Sequence, residues 1–163
     1  MRVTSAEANK ILKQLKNNKD VLKTDEHLLF TYKAAVGENA DELKPDYNFR
    51  ETQDAIMALD DSIMKLKHAI NVFNATTEVI DGMTIDQVLI KLPQLTERAE
   101  RLRIMSSQPK KQRYTISGNI IDYIYTAYDP DDVLDEYNVL LGYIDKIQLA
   151  LDKVNTSVEF DIP

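Results

Sequence analysis

The feature that most constrains the fold is an apolar seam between Asn48 and Asn74. Apolar residues recur there at alternating steps of three and four positions, at Ile56, Leu59, Ile63, Leu66, Ile70 and Phe73. This spacing averages about 3.5 residues, which keeps one side of a helix facing a partner helix along its whole length. Asn48 and Glu51 have the spacing of an N-cap and a capping box. The rest of the chain must therefore supply helices that cover this seam.

Two further helices are predicted from capping boxes followed by apolar periodicity. Thr4 with Glu7 starts a first helix, which is expected to run into the twenties, and Thr84 with Gln87 starts a third. Pro93 lies within the third helix, where it removes a backbone donor and crowds the preceding turn. We therefore expect a kink at Pro93, or a division of the helix into two pieces.

A last helix and an extended tail are predicted for the end of the sequence. Asp129 followed by Pro130 combines a capping side chain with a proline at the first helical position. The seam of this helix resembles the seam between 48 and 74, which makes the two helices natural partners. The tail is expected to pair with a strand through Val158 and Phe160.

A β-hairpin is predicted within a basic and tyrosine-rich segment at about 98–128. β-branched and aromatic residues flank the turn-forming pair Ser117-Gly118, and five of the eight tyrosines lie between 114 and 137. Six basic residues lie between 98 and 113 against the single acid Glu100. This basic concentration stands out because the protein as a whole is acidic.

Composition limits the classes of partner and compartment. The 163 residues carry 27 acidic and 20 basic side chains, a net charge of −7, which disfavours binding to duplex nucleic acid. No stretch reaches the roughly 18 apolar residues of a membrane span, no export signal is evident, and cysteine is absent. We expect a cytoplasmic protein that folds as a single helical domain over residues 1–163. The predicted class is mainly α, an antiparallel bundle of about four helices with a small β-hairpin.

A set of short motifs extends along the chain, at residues 1–9, 35–38, 65–74, 83–87, 92–95, 119–121 and 151–156, together with Pro45, Tyr47, Tyr123 and Tyr125. These motifs resemble the septicolysin-like family of small, mostly helical bacterial and phage proteins. The resemblance covers nearly the whole chain and implies a largely helical fold. The family label implies a cytolysin, which the missing export signal and membrane-length segment disfavour.

The residues favour binding over catalysis. The sequence lacks the motifs of zinc proteases, serine hydrolases and P-loop proteins, so no catalytic residue, metal site or cofactor is predicted. A local basic segment, clustered tyrosines, and Asn and Gln at helix ends are the groups that recognise phosphate, base and ribose. We expect a non-enzymatic protein that sequesters a small anionic, nucleotide-type ligand. The predicted ligand-binding residues are Lys67, Asn71, Asn74, Gln94, Arg98, Arg101 and Tyr125.

The sequence leaves alternatives open. The phage members of the resembling family imply interception of a host immune signalling nucleotide, in the host cytoplasm. The two long seams predict a homo-oligomer, and they equally suit a helical protein-interaction or scaffold module. A nucleotide hydrolase is a third possibility. The arginines of the basic segment could simply balance Glu97 and Glu100, and the tyrosines could be cross-strand pairs.

Overall fold

Among the residues that the structure describes, four long helices account for most of the chain, and six short strands form three antiparallel pairs. The computed structural model describes residues 1–114 and 121–163. The helices are α1 (Ser5–Leu29), α2 (Phe49–Thr76), α3 (Ile85–Ser106) and α4 (Pro130–Ser157). The strands are β1 (Arg2–Thr4), β2 (Glu78–Ile80), β3 (Met83–Thr84), β4 (Lys111–Tyr114), β5 (Asp122–Tyr125) and β6 (Glu159–Asp161). This architecture confirms the predicted mainly α class with small β-hairpins.

The helices begin where the local signals predict. Both capping boxes form, with Thr4 and Thr84 each accepting from a backbone amide three residues later. Asn48 accepts from the amides of Arg50 and Glu51, and Asp129 accepts from the amide of Asp131. α3 runs unbroken through Pro93, so of the two expected outcomes the division into two pieces does not occur and the kink stays a prediction.

Strands β4 and β5 confirm the predicted hairpin on either side of its turn. They pair antiparallel from Lys111 opposite Tyr125 to Tyr114 opposite Asp122. The predicted turn residues Ser117 and Gly118 lie outside the described residues. The tail prediction is confirmed for Phe160, because β6 pairs with β1 and places Phe160 opposite Val3, whereas Val158 precedes the strand.

The chain divides into two compact units. Unit 1 consists of Met1–Phe73 together with Asn155–Pro163, and unit 2 consists of Asn74–Val154. Helices α2 and α4 therefore each begin in one unit and end in the other. The single domain expected over residues 1–163 stays a prediction.

In unit 1, α1 and α2 run antiparallel. The ammonium group of Lys19 lies 2.5 Å from a carboxylate oxygen of Asp60, and the Gln53 amide donates to Glu26 at 2.6 Å, so later residues of α1 meet earlier residues of α2. The buried core lies near the opposite end of this helix pair and contains Val3, Ala8, Leu66, Ile70 and Ile162. Apolar burial at one end thus fixes the helix pair and leaves its other end exposed.

In unit 2, α3 and α4 also run antiparallel. Arg98 of α3 pairs with Glu136 of α4, and the Tyr128 hydroxyl, two residues before α4, donates to the Met105 carbonyl near the end of α3. The buried apolar residues on these helices are Ile85, Val88, Leu95, Ala99, Leu140, Ile144, Ile147 and Leu151. The α4 seam predicted from the sequence is therefore the buried side of the helix.

The two units repeat the same arrangement at a fixed sequence separation. Helices α2 and α4 each contain 28 residues, and 81 positions separate their first residues, Phe49 and Pro130. The strand pair at the start of each unit repeats too, and we call it the strand joint of that unit. Thr4 lies opposite Glu159 in the β1–β6 pair of unit 1, and Thr84 lies opposite Glu78 in the β2–β3 pair of unit 2. We call residues at such a separation counterparts. The separation is 80 positions from β1 to Phe30, and 81 positions from Tyr47 to the end of α2 and between β2 and β6.

Buried positions follow the same correspondence. Leu66 and Ile147 are counterparts and are both buried, as are Ile70 and Leu151, and Ala8 and Val88. The feature that the units share is thus the inward-facing position rather than the residue type, as expected when packing selects for apolar character and volume.

Candidate functional site

The seven residues predicted to bind a ligand fall into different parts of the chain. Lys67 and Asn71 belong to unit 1, and Asn74, Gln94, Arg98, Arg101 and Tyr125 belong to unit 2. Both unit 1 residues are exposed. Three of the unit 2 residues share one stripe of α3, because Gln94, Arg98 and Arg101 follow one another at helical spacing.

The arginines of α3 differ in how they are engaged. Arg98 pairs with Glu136, and Arg103 donates twice to Glu100, at 2.8 and 2.7 Å. The bond from Arg103 lowers the pKa of Glu100, which stays ionised beside it. Arg101 is exposed and makes no ion pair within the described residues. The proposed balance with Glu100 is therefore seen for Arg103, whereas Arg98 pairs with Glu136 of α4 instead. Arg101 is the arginine of α3 left to meet an anion.

Asn74 carries an unsatisfied polar atom. Its side chain is partly buried in the last turns of α2, and its Oδ1 is buried with no hydrogen-bond partner among the described residues. An acceptor left unpaired in this way costs about 1–3 kcal/mol. A donor from a ligand or solvent molecule would recover that cost.

The hairpin presents a face made of two tyrosines and two cations. Lys111 lies opposite Tyr125 and Arg113 lies opposite Tyr123, so all four side chains project from the same side of the β4–β5 pair. All four residues are exposed. We call Lys111, Arg113, Tyr123 and Tyr125 the tyrosine–cation face.

Distances within this face show cation–π contacts. The Lys111 ammonium group lies 4.0 Å from the centre of the Tyr123 ring and 5.5 Å from that of Tyr125. The two ring centres are 6.3 Å apart and tilted by 49°. These separations are within the range in which a cation is attracted to an aromatic face. The opposite side of the hairpin carries Gln112, Tyr114, Asp122 and Ile124.

The base of the hairpin is tied to its neighbours in unit 2. The Lys110 ammonium group lies 2.9 Å from Asp129 and 2.8 Å from Asp131. These bonds raise the pKa of Lys110 and, with the Asp131 amide, lower the pKa of Asp129. The Thr126 hydroxyl donates to the Tyr128 carbonyl at 2.9 Å, which orders the chain between β5 and α4. The hairpin is therefore anchored at the residues where it joins the helices.

A cavity in unit 1 is not predicted from the sequence. It is open, has a volume of about 540 Å³, and is lined by Lys23, Glu26, His27, Phe30, Tyr47, Phe49 and Gln53. The residues come from the end of α1, the connector 31–48 and the start of α2. A sequence signal exists in the aromatic residues that border the connector, Phe30, Tyr47 and Phe49, but only folding shows that they meet.

Two classes of site receive no support from the described residues. Across 1–114 and 121–163, no three His, Asp or Glu side chains converge as metal ligands. No helix in this part of the chain has the length and apolar character required to cross a bilayer.

Comparison with known proteins relates the chain to a solved structure of the same fold. A functionally unknown conserved protein from Corynebacterium diphtheriae matches with a TM-score of 0.61 and 16% sequence identity. The match covers 99% of this chain and 100% of that chain. No protein-family model and no curated protein matches the sequence. At this level of identity, the similarity shows a shared fold alone.

Proposed function

We propose that the protein is a non-enzymatic binding protein that holds a small anionic ligand of nucleotide type on the tyrosine–cation face. The observation that carries this proposal is the β4–β5 register, which aligns Lys111 and Arg113 with Tyr125 and Tyr123 on one exposed side. Aromatic rings provide a surface on which a base can stack, and neighbouring cations neutralise phosphate. Few other surfaces of an acidic protein would attract such a ligand.

The two kinds of side chain have separate roles in this proposal. Tyr123 and Tyr125 stack on the base, an interaction worth about 1–3 kcal/mol per base in single-strand binding proteins. Lys111 and Arg113 bind the phosphate, where the flat guanidinium group can make two parallel hydrogen bonds. Arg101 is a further candidate for phosphate because Arg98 already pairs with Glu136.

The experiment compares the two faces of the same hairpin by calorimetry. AMP, ADP-ribose, a cyclic dinucleotide and inorganic phosphate are titrated into the wild type, Tyr123→Ala, Tyr125→Ala and Arg113→Ala. Tyr114→Ala is the matched control, because Tyr114 and Tyr123 are both 47% exposed but project from opposite faces. We expect the two face tyrosines to weaken binding by about five- to a hundredfold and the control to leave it unchanged.

Two further measurements, the salt dependence of the affinity and the recovery of the ligand after incubation, test whether phosphate contacts contribute and whether the nucleotide is hydrolysed. Affinity should fall as salt rises, since phosphate contacts release counterions. Recovery of each nucleotide with unchanged mass would support a binder over a nucleotide hydrolase. The proposal is wrong if no nucleotide binds more tightly than millimolar, or if Tyr114→Ala weakens binding as much as Tyr125→Ala.

Interception of a signalling nucleotide in the host cytoplasm is the biological form of this proposal. It rests on the resemblance to septicolysin-like proteins, whose members include phage proteins. Such a protein would act by binding one nucleotide per site without turnover. Its affinity for the nucleotide must therefore exceed that of the host receptor.

A helical interaction module or homo-oligomer is the second candidate, because apolar side chains remain exposed at heptad spacing. Met57 and Met64 lie seven residues apart on α2 and are 65% and 61% exposed. Two such positions lie on one side of a helix, as at a helix–helix interface. Light scattering tests this reading, and a wild-type dimer that becomes monomeric in Met57→Lys/Met64→Lys would support it.

A further inference from the structure

The cavity in unit 1 combines exposed aromatic rings with a carboxylate. Phe30 is 51% exposed and Phe49 is 64% exposed, although burying each ring elsewhere would stabilise the protein. The Tyr47 ring and the imidazole of His27 complete the aromatic lining. Rings that border an open cavity in this way form the walls of a site rather than part of a core.

The carboxylate of Glu26 is fixed in place with one oxygen still available. Its Oε1 accepts both the Tyr47 hydroxyl, at 2.7 Å, and the Gln53 amide, at 2.6 Å. The first of these bonds contributes most to raising the pKa of Tyr47, so the phenol keeps its proton and remains the donor. Among the described residues, no donor bonds to Oε2. One oxygen is therefore held rigidly while the other can receive a ligand.

The surroundings of Glu26 are acidic. A second depression shares Glu26 and Tyr47 with the first, and it adds the carboxylates of Asp25, Asp46 and Glu51. Against these four acids, Lys23 is the one lysine or arginine among the described residues that lines either depression. The local field therefore favours a positive ligand, in contrast to the tyrosine–cation face of unit 2.

Comparison with unit 2 shows which of these cavity residues recur at the equivalent helix junction. The counterparts of Tyr47 and Asn48 are Tyr128 and Asp129, which keep the same tasks of bonding to the preceding helix and capping the next. The other cavity residues are replaced in unit 2. Ser106, Lys110, Pro130 and Leu134 stand at the positions of Glu26, Phe30, Phe49 and Gln53.

Unit 2 thus closes the same helix junction without aromatic walls and without a carboxylate that accepts from the tyrosine. There, the Tyr128 hydroxyl donates to the Met105 carbonyl at 3.0 Å, whereas Tyr47 donates to a side-chain carboxylate. Because unit 2 forms the junction with other residues, a junction of this kind does not require a carboxylate at position 26 or aromatic rings at positions 30 and 49.

We propose that this cavity binds a small organic cation of the alkylammonium class. Oε2 of Glu26 receives the positive charge, and the faces of Phe30, Tyr47 and Phe49 surround its alkyl groups, an arrangement that attracts ammonium groups in proteins. Gln53 and Tyr47 hold the carboxylate in position. Lys23 opposes binding by charge repulsion and limits the affinity.

The test is an NMR titration of the full chain with tetramethylammonium chloride. tert-Butanol, which has a similar shape and no charge, is the matched ligand control, and sodium chloride controls for ionic strength. We expect saturable shift changes at the amides of residues 23–30 and 47–53 with tetramethylammonium alone. Glu26→Gln keeps an acceptor for Tyr47 but removes the charge, and should weaken binding about tenfold or more.

Further variants distinguish the site from a general effect. Phe49→Ala should weaken binding severalfold, while Lys23→Ala should tighten it. Tyr128→Phe, at the counterpart of Tyr47 in unit 2, should leave it unchanged. The proposal is overturned if tetramethylammonium causes no saturable change, if tert-butanol binds equally well, or if Glu26→Gln binds as the wild type does. If Glu26→Gln unfolds, an unchanged affinity in both Phe49→Ala and Lys23→Ala overturns it.

Discussion

Units 1 and 2 share one arrangement of strands and helices but differ at the ends of their helix pairs. Unit 1 ends in an aromatic cavity around Glu26, whereas unit 2 ends in a hairpin with a tyrosine–cation face. The residues that the units share in kind, such as Tyr47 and Tyr128, hold the helix junction. The comparison therefore separates two tasks, since shared positions maintain the fold and divergent positions carry the candidate sites.

The largest expected effect is the loss of stability when a charge is introduced into the seam of α4, compared with the same change in the seam of α2. Ile144 is buried, while its counterpart Ile63 is only partly buried. Ile144→Asp should cost several kcal/mol and unfold the protein, because an unpaired carboxylate would lose its hydration. Ile63→Asp should lower the free energy of unfolding by less, because the partly buried carboxylate would keep some of its hydration. Melting followed by circular dichroism measures both, with the exposed Val139→Asp as control, and equal losses for the two isoleucines would remove the proposed difference in packing.

Next in size is the aromatic stack that unit 1 contains and unit 2 replaces with aliphatic residues. The Phe73 and Phe160 rings stack with their centres 4.3 Å apart, and valine occupies both counterpart positions, Val154 and Val79. Phe73→Ala should destabilise the protein by about 3–5 kcal/mol. Val154→Ala should cost about 1.5 kcal/mol, from about 0.8 kcal/mol per carbon group. Urea denaturation would contradict this contrast if both losses were the same.

The two capping boxes should contribute equally to the free energy of unfolding, unlike the two pairs of positions compared above. Thr4→Ala and Thr84→Ala each remove the side-chain acceptor of a helix N-terminus and should each cost about 1 kcal/mol. Thr4→Ser and Thr84→Ser keep the hydroxyl and serve as controls. Urea midpoints that fall in one alanine variant only would show that the two joints differ in energy despite their common geometry.

The smallest effect concerns pH, because one box contains Glu7 and the other Gln87. Hydrogen bonds from the Thr4 amide and hydroxyl lower the pKa of Glu7 below its ordinary value of 4.5. A lowered pKa in the folded state adds stability above the unfolded pKa and loses it as the pH falls through the folded one. Acidification below about 4.5 should therefore weaken the first box and spare the second. Amide hydrogen exchange at Thr4 and Thr84 measures this, and Glu7→Gln should abolish the difference.

The parts of the fold that the sequence predicts correctly depend on neighbouring residues. Thr4 and Glu7, or Asp129 and Pro130, act within one helical turn, so their spacing is enough to locate a helix start. The seams succeed for the same reason, since 3.5-residue periodicity is a property of a single segment. The repeat of the two units is not visible in the sequence, because packing keeps Ala8 and Val88 buried without keeping the same residue at both positions.

The candidate sites depend on contacts that spacing does not contain. The sequence predicts that Arg98 binds an anion, but its partner Glu136 lies 38 residues away. The clustering of Tyr125 with other tyrosines is visible in the sequence, whereas the alignment of Tyr123 and Tyr125 with Lys111 and Arg113 requires the strand register. The cavity needs three separate segments to converge, so no single stretch of sequence predicts it.

The strand joint of unit 1 has a consequence for the order in which the protein can form during synthesis. The Met1 amino group donates to the Ile162 carbonyl at 3.0 Å, and the Ile162 amide donates back at 2.9 Å. Unit 1 contains residues that precede all of unit 2 in the sequence, yet its core includes Ile162, which follows unit 2. All residues of unit 2 have been synthesised once the chain reaches Val154, before β6 of unit 1 is made. Unit 1 is thus begun before unit 2 and completed after it. Until β6 is synthesised, the apolar side chains of Val3 and Phe73 lack the strand that covers them and stay exposed to solvent.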